Sequence, residues 1–428
     1  MRVLLIGATG FLGSAIRVAL AGAGHSVVAT YHRGSAPADD RFTQWRRCDL
    51  VTMSVETWSE MLRDVEAVIN CSGVLQDNFW ESTSAVHASG LRPLLEACER
   101  ARLFRFIHFS AIGADRHEAT AFSRSKREGE TLVTRSLLDW VILRPSVVVG
   151  TAAFGGSALF RGLAALPLLP VMPGTGPLQI VQRVDVVATA LHFLTPVSRP
   201  RQALDLAGPE VLSMSEVVGA YRNWLCWQPA RLLYLPHWLA GLFYRAGDLA
   251  RSLGWRPPLG STARLEMQHG AIGDPAPWIA ETGLQPASLD EAFARTPASV
   301  QERWFAALYL LKPIGFTVFA LFWIATGIIS LTGGFDSAIA LMRKAGGGEL
   351  TGPLVIGGAL ADIVIGAAIA LRRTARLGLL AALALTLFYV AAASIMVPHL
   401  WAEPLGPLTK IFPLLVFNVM LLAILEER

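Results

Sequence analysis

The pattern of apolar and polar positions changes character at about residue 300. Before that point, short apolar runs alternate with stretches of helical periodicity; beyond it, long apolar runs follow one another with little charge between them. The first run, Val3-Leu-Leu-Ile6, stops at Gly7. Glycines follow at positions 10 and 13, and then the helix-like Ser14-Ala-Ile-Arg-Val-Ala-Leu20. This predicts a strand, a tight glycine turn and a helix. Ser26-Val-Val-Ala-Thr30 predicts a second strand, and Cys48-Asp49-Leu50 the end of a third. Ala67-Val-Ile-Asn-Cys-Ser-Gly73 and residues 104–109 predict two more, with helices over 55–63 and 84–102 between them. Strands alternating with helices imply an α/β domain with a doubly wound, Rossmann-type parallel sheet. We assign it residues 1–200, with core contributions to about 210.

Residues 201–300 are expected to complete a small substrate-side lobe. Ser213-Met-Ser-Glu216 ahead of Val217 and Val218 is a capping-box helix start. Residues 232–253 are apolar and aromatic, with Arg231, Arg245 and Arg251 spaced through them. They predict an amphipathic helix, lying either on a membrane interface or over the cofactor as a lid. Residues 301–428 hold four apolar runs, at 314–331, 353–371, 377–397 and 408–424. Each approaches the ~20 residues that cross a hydrocarbon core, so an all-α four-helix transmembrane bundle is expected. Arg372, Arg373 and Arg376 fall in the turn between the second and third runs, which the positive-inside rule places in the cytoplasm. Both chain ends and the nucleotide domain then share that side, as in a bacterial-type inner membrane protein, with a short interfacial helix over 335–342 on the other. The first strand starts at residue 2, leaving no room for a leader. Asp362 lies mid-span, where an acid needs a polar partner; Asn418 is the candidate, and a role in proton or quinone contact is weighed against helix packing. Lys312 is expected to snorkel to the surface.

Composition adds little beyond this division. Hydrophobic residues make up 53% and charged residues 16%, with a mean hydropathy of +0.45 and a net charge of +4. No basic cluster interleaved with aromatics suggests a nucleic-acid partner. Cys48, Cys71, Cys98 and Cys226 form no CxxC pair and no His/Cys ligand spacing, so no metal site is expected.

The chemistry sits in the glycine turn. In Gly7-Ala-Thr9-Gly10-Phe11-Leu12-Gly13, the first glycine permits the turn, the second lets a pyrophosphate approach, and the third lets the helix pack on the strand. Backbone N–H groups and the helix N-terminus then face the phosphates. About 20 residues on, an acid would hold a ribose 2′-hydroxyl, whereas an arginine accommodates a 2′-phosphate. Arg33 occupies this place, while Asp39 and Asp40 come later. NADP(H) is therefore expected in preference to NAD(H).

The glycine turn, Asp49-Leu50, Asn70-Cys-Ser-Gly73, Ser110, Ser125-Lys126-Arg-Glu-Gly-Glu130 and Leu143-Arg-Pro-Ser-Val-Val-Val-Gly150 together resemble an extended or atypical short-chain dehydrogenase/reductase, over roughly the first three hundred residues. Ser157-Ala-Leu-Phe-Arg161, Leu168-Leu-Pro-Val-Met-Pro-Gly174 and Val184-Asp-Val-Val-Ala-Thr-Ala190 are similar to the branch containing the nucleotide-binding accessory subunit of respiratory complex I. The resemblance implies that Asp49 and Leu50 border the adenine, and that Cys71, Ser72 and Gly73 line the nicotinamide side. It further implies that Ser110 is the catalytic serine, that Lys126 bonds the nicotinamide ribose, and that Pro145 and Val148 lie beside the nicotinamide. The four apolar runs with their acidic second member resemble a DoxX-like domain.

One position departs from the family. Its tyrosine, four residues before the lysine, is Phe122 here. The phenol is the general acid for a carbonyl, worth about 10²–10⁴-fold, and phenylalanine has no proton to give. Three readings follow: cofactor binding without catalysis, hydride transfer to a quinone or flavin that needs no positioned phenol, or substitution of the acid by Ser110 or His108. The expected function is a membrane-anchored oxidoreductase acting on a lipophilic or quinone-like acceptor. Its alternative is a non-catalytic NADPH-binding sensor or structural module with a membrane-protein partner.

Overall fold

The computed structural model describes the chain apart from residues 33, 35, 36, 76, 78–81, 117–119, 256, 405, 427 and 428. Arg33 thus lies outside the described residues. The strands are β1 (Arg2–Ile6), β2 (Ser26–Tyr31), β3 (Thr43–Arg47), β4 (Ala67–Asn70), β5 (Arg105–Phe109), β6 (Trp140–Pro145), β7 (Val147–Val149), β8 (Leu168–Val171), β9 (Leu178–Gln182), β10 (Gln202–Leu206), β11 (Val211–Leu212) and β12 (Arg231–Tyr234). Seven of them form one parallel sheet in the order β10-β6-β5-β4-β1-β2-β3. The order reverses at β1, so the crevice outside the carboxyl ends of β1 and β4 is the ligand position of such a sheet. β11-β9-β7 and β12-β8 are smaller sheets.

The helices of this part are α1 (Phe11–Gly22), α2 (Val55–Met61), α3 (Leu91–Ala101), α4 (Ala121–Arg135), α5 (Gly155–Ala164), α6 (Arg183–His192), α7 (Met214–Trp224), α8 (His237–Ser252), α9 (Ser261–His269), α10 (Ala276–Thr282) and α11 (Leu289–Arg295). Successive strand residues serve opposite cores. Val3, Leu5, Ala67, Ile69, Val141 and Leu143 pack on one face, with Ile16 of α1 and Trp278 of α10. Leu4, Ile6, Val68 and Ile142 pack on the other, with Trp58 of α2 and Leu94 of α3. Burial on both faces explains why the strands read as continuous apolar runs rather than alternating ones.

Two expected elements come out differently. The helix expected over 84–102 opens with a π-helical turn, Ala85–Ser89, before α3. Gly90 allows this break, since a Cβ there would lie 2.6 Å from the Leu50 carbonyl oxygen. The helix expected over 232–253 starts only at His237, because residues 231–234 pair with β8 as β12. The Ser213 capping box is present, with Ser213 and Glu216 each bonding the other's backbone N–H.

The chain divides into two compact units. The first comprises Met1–Asp248 with Pro257–Ala306, and the second Leu249–Arg256 with Ala307–Arg428. The second holds most of α12 (Val300–Leu331), then α13 (Phe335–Lys344), α14 (Thr351–Ala370), α15 (Ala375–Met396) and α16 (Ile411–Ile424). Among the described residues three helices are long and apolar enough to span a membrane. The fourth, α16, is shorter, with 14 residues, about 21 Å at 1.5 Å per residue. Its expected first turn is spent on hydrogen-bonded turns, Lys410 N–H to Gly406 O and Ile411 N–H to Leu408 O. Small residues set the crossings of α12 and α14. A Cβ on Gly327 would fall 2.4 Å from the Ala359 oxygen, and one on Gly366 2.7 Å from the Ala320 oxygen, close approach of the small-residue kind. The expected Asp362–Asn418 pair does not form. Asp362 accepts from the Tyr389 hydroxyl at 3.4 Å, and the Asn418 amide donates to the Leu379 carbonyl at 3.2 Å. Lys312 Nζ donates to the Leu425 carbonyl at 3.4 Å.

Trp278 locks α10 onto the sheet. Its ring is fully buried and its indole N–H donates to Thr189 Oγ1 at 2.9 Å. Trp278→Ala is expected to destabilise the first unit by about 3–5 kcal/mol, read as a lowered midpoint in denaturant unfolding of the detergent-solubilised chain.

Candidate functional site

The glycine turn closes on itself. Gly7 has φ +77, and a Cβ there would sit 3.0 Å from the Cys71 carbonyl. A Cβ on Gly13 would lie 2.1 Å from the Gly7 oxygen, so α1 can reach the turn only with glycine there. The Gly7 N–H donates to Thr30 Oγ1 at 3.1 Å and Gly10 N–H to Gly7 O at 2.9 Å. Thr9 lies in this turn and Leu12 on the first turn of α1. α1 has no side-chain cap and no acid in its first turn, which leaves its N-terminus to an anion. Phe11 stacks on Phe154 at 6.0 Å, and the Arg183 guanidinium lies 5.1 Å over the Phe11 ring. Sequence reading missed Arg183. It brings positive charge beside the helix N-terminus from a helix more than 160 positions away, with no local motif.

Asp49 follows β3, its carboxylate accepting from Val51 N–H at 3.1 Å, and Leu50 is buried. Asp39 accepts from Trp45 N–H at 2.7 Å. Asp40 accepts from Phe42 and Thr43 N–H at 2.9 and 2.8 Å, bonds that hold its carboxyl below the usual range. Both acids are thus engaged in the turn ahead of β3.

The loop after β4 carries Cys71, Ser72 and Gly73. Cys71 N–H donates to Ile6 O, and burial raises its thiol well above the usual range. Asn70 organises the loop: its Oδ1 accepts from the Ser72 N–H at 3.1 Å and the Ser72 hydroxyl at 2.5 Å. Its Nδ2 donates to His108 Nδ1 at 3.2 Å. His108 Nε2 has no partner among the described residues and faces the space beside Gly129. Burial, with the Lys126 charge nearby, pulls His108 down to about 3. It is a neutral buried ring.

Lys126 points from α4 into this loop. Nζ donates to the Phe109 carbonyl at 3.0 Å and would lie 3.3 Å from a Cβ on Gly73. Burial pulls it down to about 8, against the pull of Glu130 and Cys71. An ammonium has three protons to donate, and a single acceptor meets Lys126 among the described residues. Ser110 is buried after β5, and its hydroxyl also has no partner there. Two buried polar groups therefore stand open in one crevice, which fits the ribose and the carboxamide side of a nicotinamide nucleotide. Pro145 ends β6 and Val148 lies in β7.

Phe122 meets a second missed residue, His87. The rings stand edge to face at 5.7 Å. Val74 N–H donates to His87 Nε2 at 3.1 Å, so Nδ1 carries the proton and gives it to Ser125 Oγ at 2.8 Å. Ser125 in turn donates to the Phe122 carbonyl at 2.8 Å. Burial and the Lys126 and His108 charges pull His87 down to about 2. The imidazole is a neutral strut between the loop and α4. A lone histidine among small residues offered no signal. Arg144 clamps α4 from the other side, bidentate to Glu130 at 2.9 and 2.6 Å.

Residues 3–166 match the NAD dependent epimerase/dehydratase family and residues 320–419 the DoxX-like family. The chain is 29% identical over 201 residues to the ceramide reductase of Caulobacter vibrioides, covering 46% of this chain and 62% of that protein. It thus spans less than two thirds of that relative's length. It is 24% identical over 291 residues to the mitochondrial NADH-ubiquinone oxidoreductase 40 kDa subunit of Neurospora crassa, covering 67% of this chain and 76% of the subunit. The UDP-glucuronic acid 4-epimerase of Bacillus cereus, solved with UDP-glucuronic acid and NAD, aligns over 72% of this chain and all of its own, with TM-score 0.55 and 18% identity. The chain therefore joins a Rossmann domain of epimerase and short-chain dehydrogenase type to a DoxX-like, membrane-associated domain. These likenesses support binding of a nicotinamide cofactor.

Lys126→Met tests the open amine. The folded value, about 8, lies below the unfolded 10.5. Between these values the unfolded chain binds more protons, so wild-type stability rises with pH across that window and is lowest below it. The variant is expected to be more stable than wild type at pH 7, to lose this advantage toward pH 10, and to bind a reduced nicotinamide nucleotide at least tenfold more weakly. Thermal melts across pH and calorimetric titration check both.

Proposed function

We propose that this protein is a membrane-anchored, NADP(H)-binding oxidoreductase that passes reducing equivalents to a lipophilic, quinone-like acceptor. The observation that carries the reading is a complete nucleotide cradle and an open lysine beside Phe122, in a chain that also holds apolar helices of membrane-spanning length. A bound reduced nicotinamide supplies hydride. The chain's own residues do the rest: Gly7, Gly10, Gly13 and Arg183 take the pyrophosphate, Lys126 the nicotinamide ribose, and Asn70 and His87 hold the loop that faces the ring. Ser110 holds a hydroxyl where the acceptor oxygen would lie.

The acceptor class follows from the missing phenol. A ketone that receives hydride becomes an alkoxide unless an acid protonates it as the hydride arrives. A quinone becomes an aromatic phenolate, with a pKa near that of tyrosine, about 10. Such an oxyanion is stable enough to form without a positioned acid and takes its proton from solvent afterwards. The names of the relatives agree with a lipophilic acceptor: one is a ceramide reductase, the other a subunit of an NADH-ubiquinone oxidoreductase. NADP(H) is favoured because Arg33 follows β2 and because Asp39 and Asp40 are engaged with backbone N–H groups. Arg372, Arg373 and Arg376 beside the ends of α14 and α15 favour a cytoplasmic nucleotide domain.

Phe122 also favours a second reading, a binding module that reports NADPH or supports a membrane-protein partner without turnover. NADPH oxidation by the chain reconstituted in lipid separates the two. Oxidation is expected with a short-chain quinone and negligible with simple aldehydes or ketones. Tight NADPH binding with no oxidation by any quinone would leave the binding module. For the cofactor, Arg33→Ala is expected to weaken NADPH at least tenfold in equilibrium titration while leaving NADH within about twofold, a contrast of about fivefold or more, worth about 1 kcal/mol or more. Equal loss of both would remove the 2′-phosphate role of Arg33.

A further inference from the structure

α8 carries its hydrophobic residues on the wrong side for a soluble helix. Its inner face is satisfied: Ala240 and Tyr244 pack with Met172 and Leu235, and a Cβ on Gly247 would meet the Leu259 oxygen at 2.2 Å. Its outer stripe, spaced i, i+4, i+7 and i+11, is Trp238, Leu242, Arg245 and Leu249. Trp238 is 72% exposed, Leu242 58% and Leu249 64%. The adjoining β12 exposes residues 232–234, with Tyr234 at 73%. A patch of this kind on a water-facing surface marks an interaction site.

The charges on this face have one sign. Arg231 and Arg245 are exposed. The acid of α8, Asp248, accepts hydrogen bonds from the Ser261 backbone and hydroxyl. Aromatic and leucine side chains beside arginines are the composition of a helix that rests in a lipid headgroup layer.

Residues Leu249–Arg256 belong to the same compact unit as the apolar helices. Trp255 donates its indole N–H to the carbonyl of Ala370, the last residue of α14, at 2.8 Å, and Arg372 N–H donates to Leu253 O at 3.0 Å. The Arg372 guanidinium lies 5.5 Å over the Trp255 ring. The end of a membrane-spanning helix, flanked by Arg372 and Arg373, lies at the lipid–water boundary. The chain leaving α8 is therefore tied to that level.

We infer that β12 and the outer face of α8 rest in the headgroup layer of an anionic phospholipid bilayer, Trp238, Leu242 and Leu249 reaching the acyl boundary and Arg231 and Arg245 meeting lipid phosphates. This contact is independent of turnover at the nucleotide site, so its test stands or falls without any acceptor.

The test uses the full chain in phosphatidylethanolamine/phosphatidylglycerol vesicles. Nitroxide labels are placed singly at Trp238→Cys and Leu242→Cys, in a Cys226→Ser background because Cys226 is exposed. Val197→Cys, on an exposed turn, is the aqueous reference. The ratio of collision with oxygen to collision with a water-soluble nickel chelate should be several-fold higher at 238 and 242 than at 197. It should fall when phosphatidylglycerol is replaced by phosphatidylcholine, and this dependence should be lost in the Arg231→Gln, Arg245→Gln background. Ratios at 238 and 242 equal to that at 197 would overturn the inference. So would shielding of both labels from both probes, which would mean that protein, including a second copy of this chain, covers the face.

Discussion

The third glycine of the turn, Gly13, stands so near the carbonyl of Gly7 that a Cβ would overlap it at 2.1 Å. This contact draws the N-terminus of α1 onto the end of β1, at the strand where the sheet order reverses. The crevice, the unfilled amides of the helix start and the approach of the Cys71–Ser72 backbone to Gly7 all depend on it. A methyl group at residue 13 would push the helix out and with it Phe11, on which Phe154 and Arg183 rest. The anion site is thus built from missing side chains, and the arginine is added from a distant helix.

Behind this cradle, binding and proton donation come apart. Burying Lys126 with one backbone acceptor among the described residues is unfavourable. His87, Ser125, Asn70 and the Glu130–Arg144 clamp hold the surrounding backbone rigid around it. The arrangement makes sense for a group that completes its hydrogen bonds on a ligand. The phenol that would ordinarily share this lysine's field is replaced by Phe122, whose ring stands edge to face with a neutral imidazole. Neither histidine takes over, since burial and the lysine charge keep both unprotonated. What survives is a site with groups to offer a cofactor and little acid chemistry of its own.

The parts readable in the sequence were those governed by local rules. The strand–glycine–helix start, the capping box at Ser213 and the apolar helices rest on spacing alone. Harder to read were the features decided by neighbours distant in the chain. Residues 231–234 are strand because β8 offers them an edge, and α16 starts late because Gly406 and Leu408 accept turn hydrogen bonds. Asp362 found Tyr389 on α15 instead of Asn418 on α16, whose amide bonds the Leu379 carbonyl. His87 and Arg183 reach the site through tertiary packing and left no motif.

The same distinction bears on how the two parts of the chain act together. Tethering a nucleotide-binding domain to membrane helices raises its local concentration at the bilayer, but a tether alone leaves its orientation free. Residues 249–256 are therefore important beyond their number. They leave a helix of the nucleotide-binding part and bond to the end of α14 through Trp255 and Leu253. An indole hydrogen bond, a backbone hydrogen bond and a cation over an aromatic ring order these residues against α14. The lipophilic acceptor proposed above would diffuse in the plane of the bilayer, so the search for it is confined to two dimensions, and the arginines and exposed aromatics of β12 and α8 have the chemistry to face that plane.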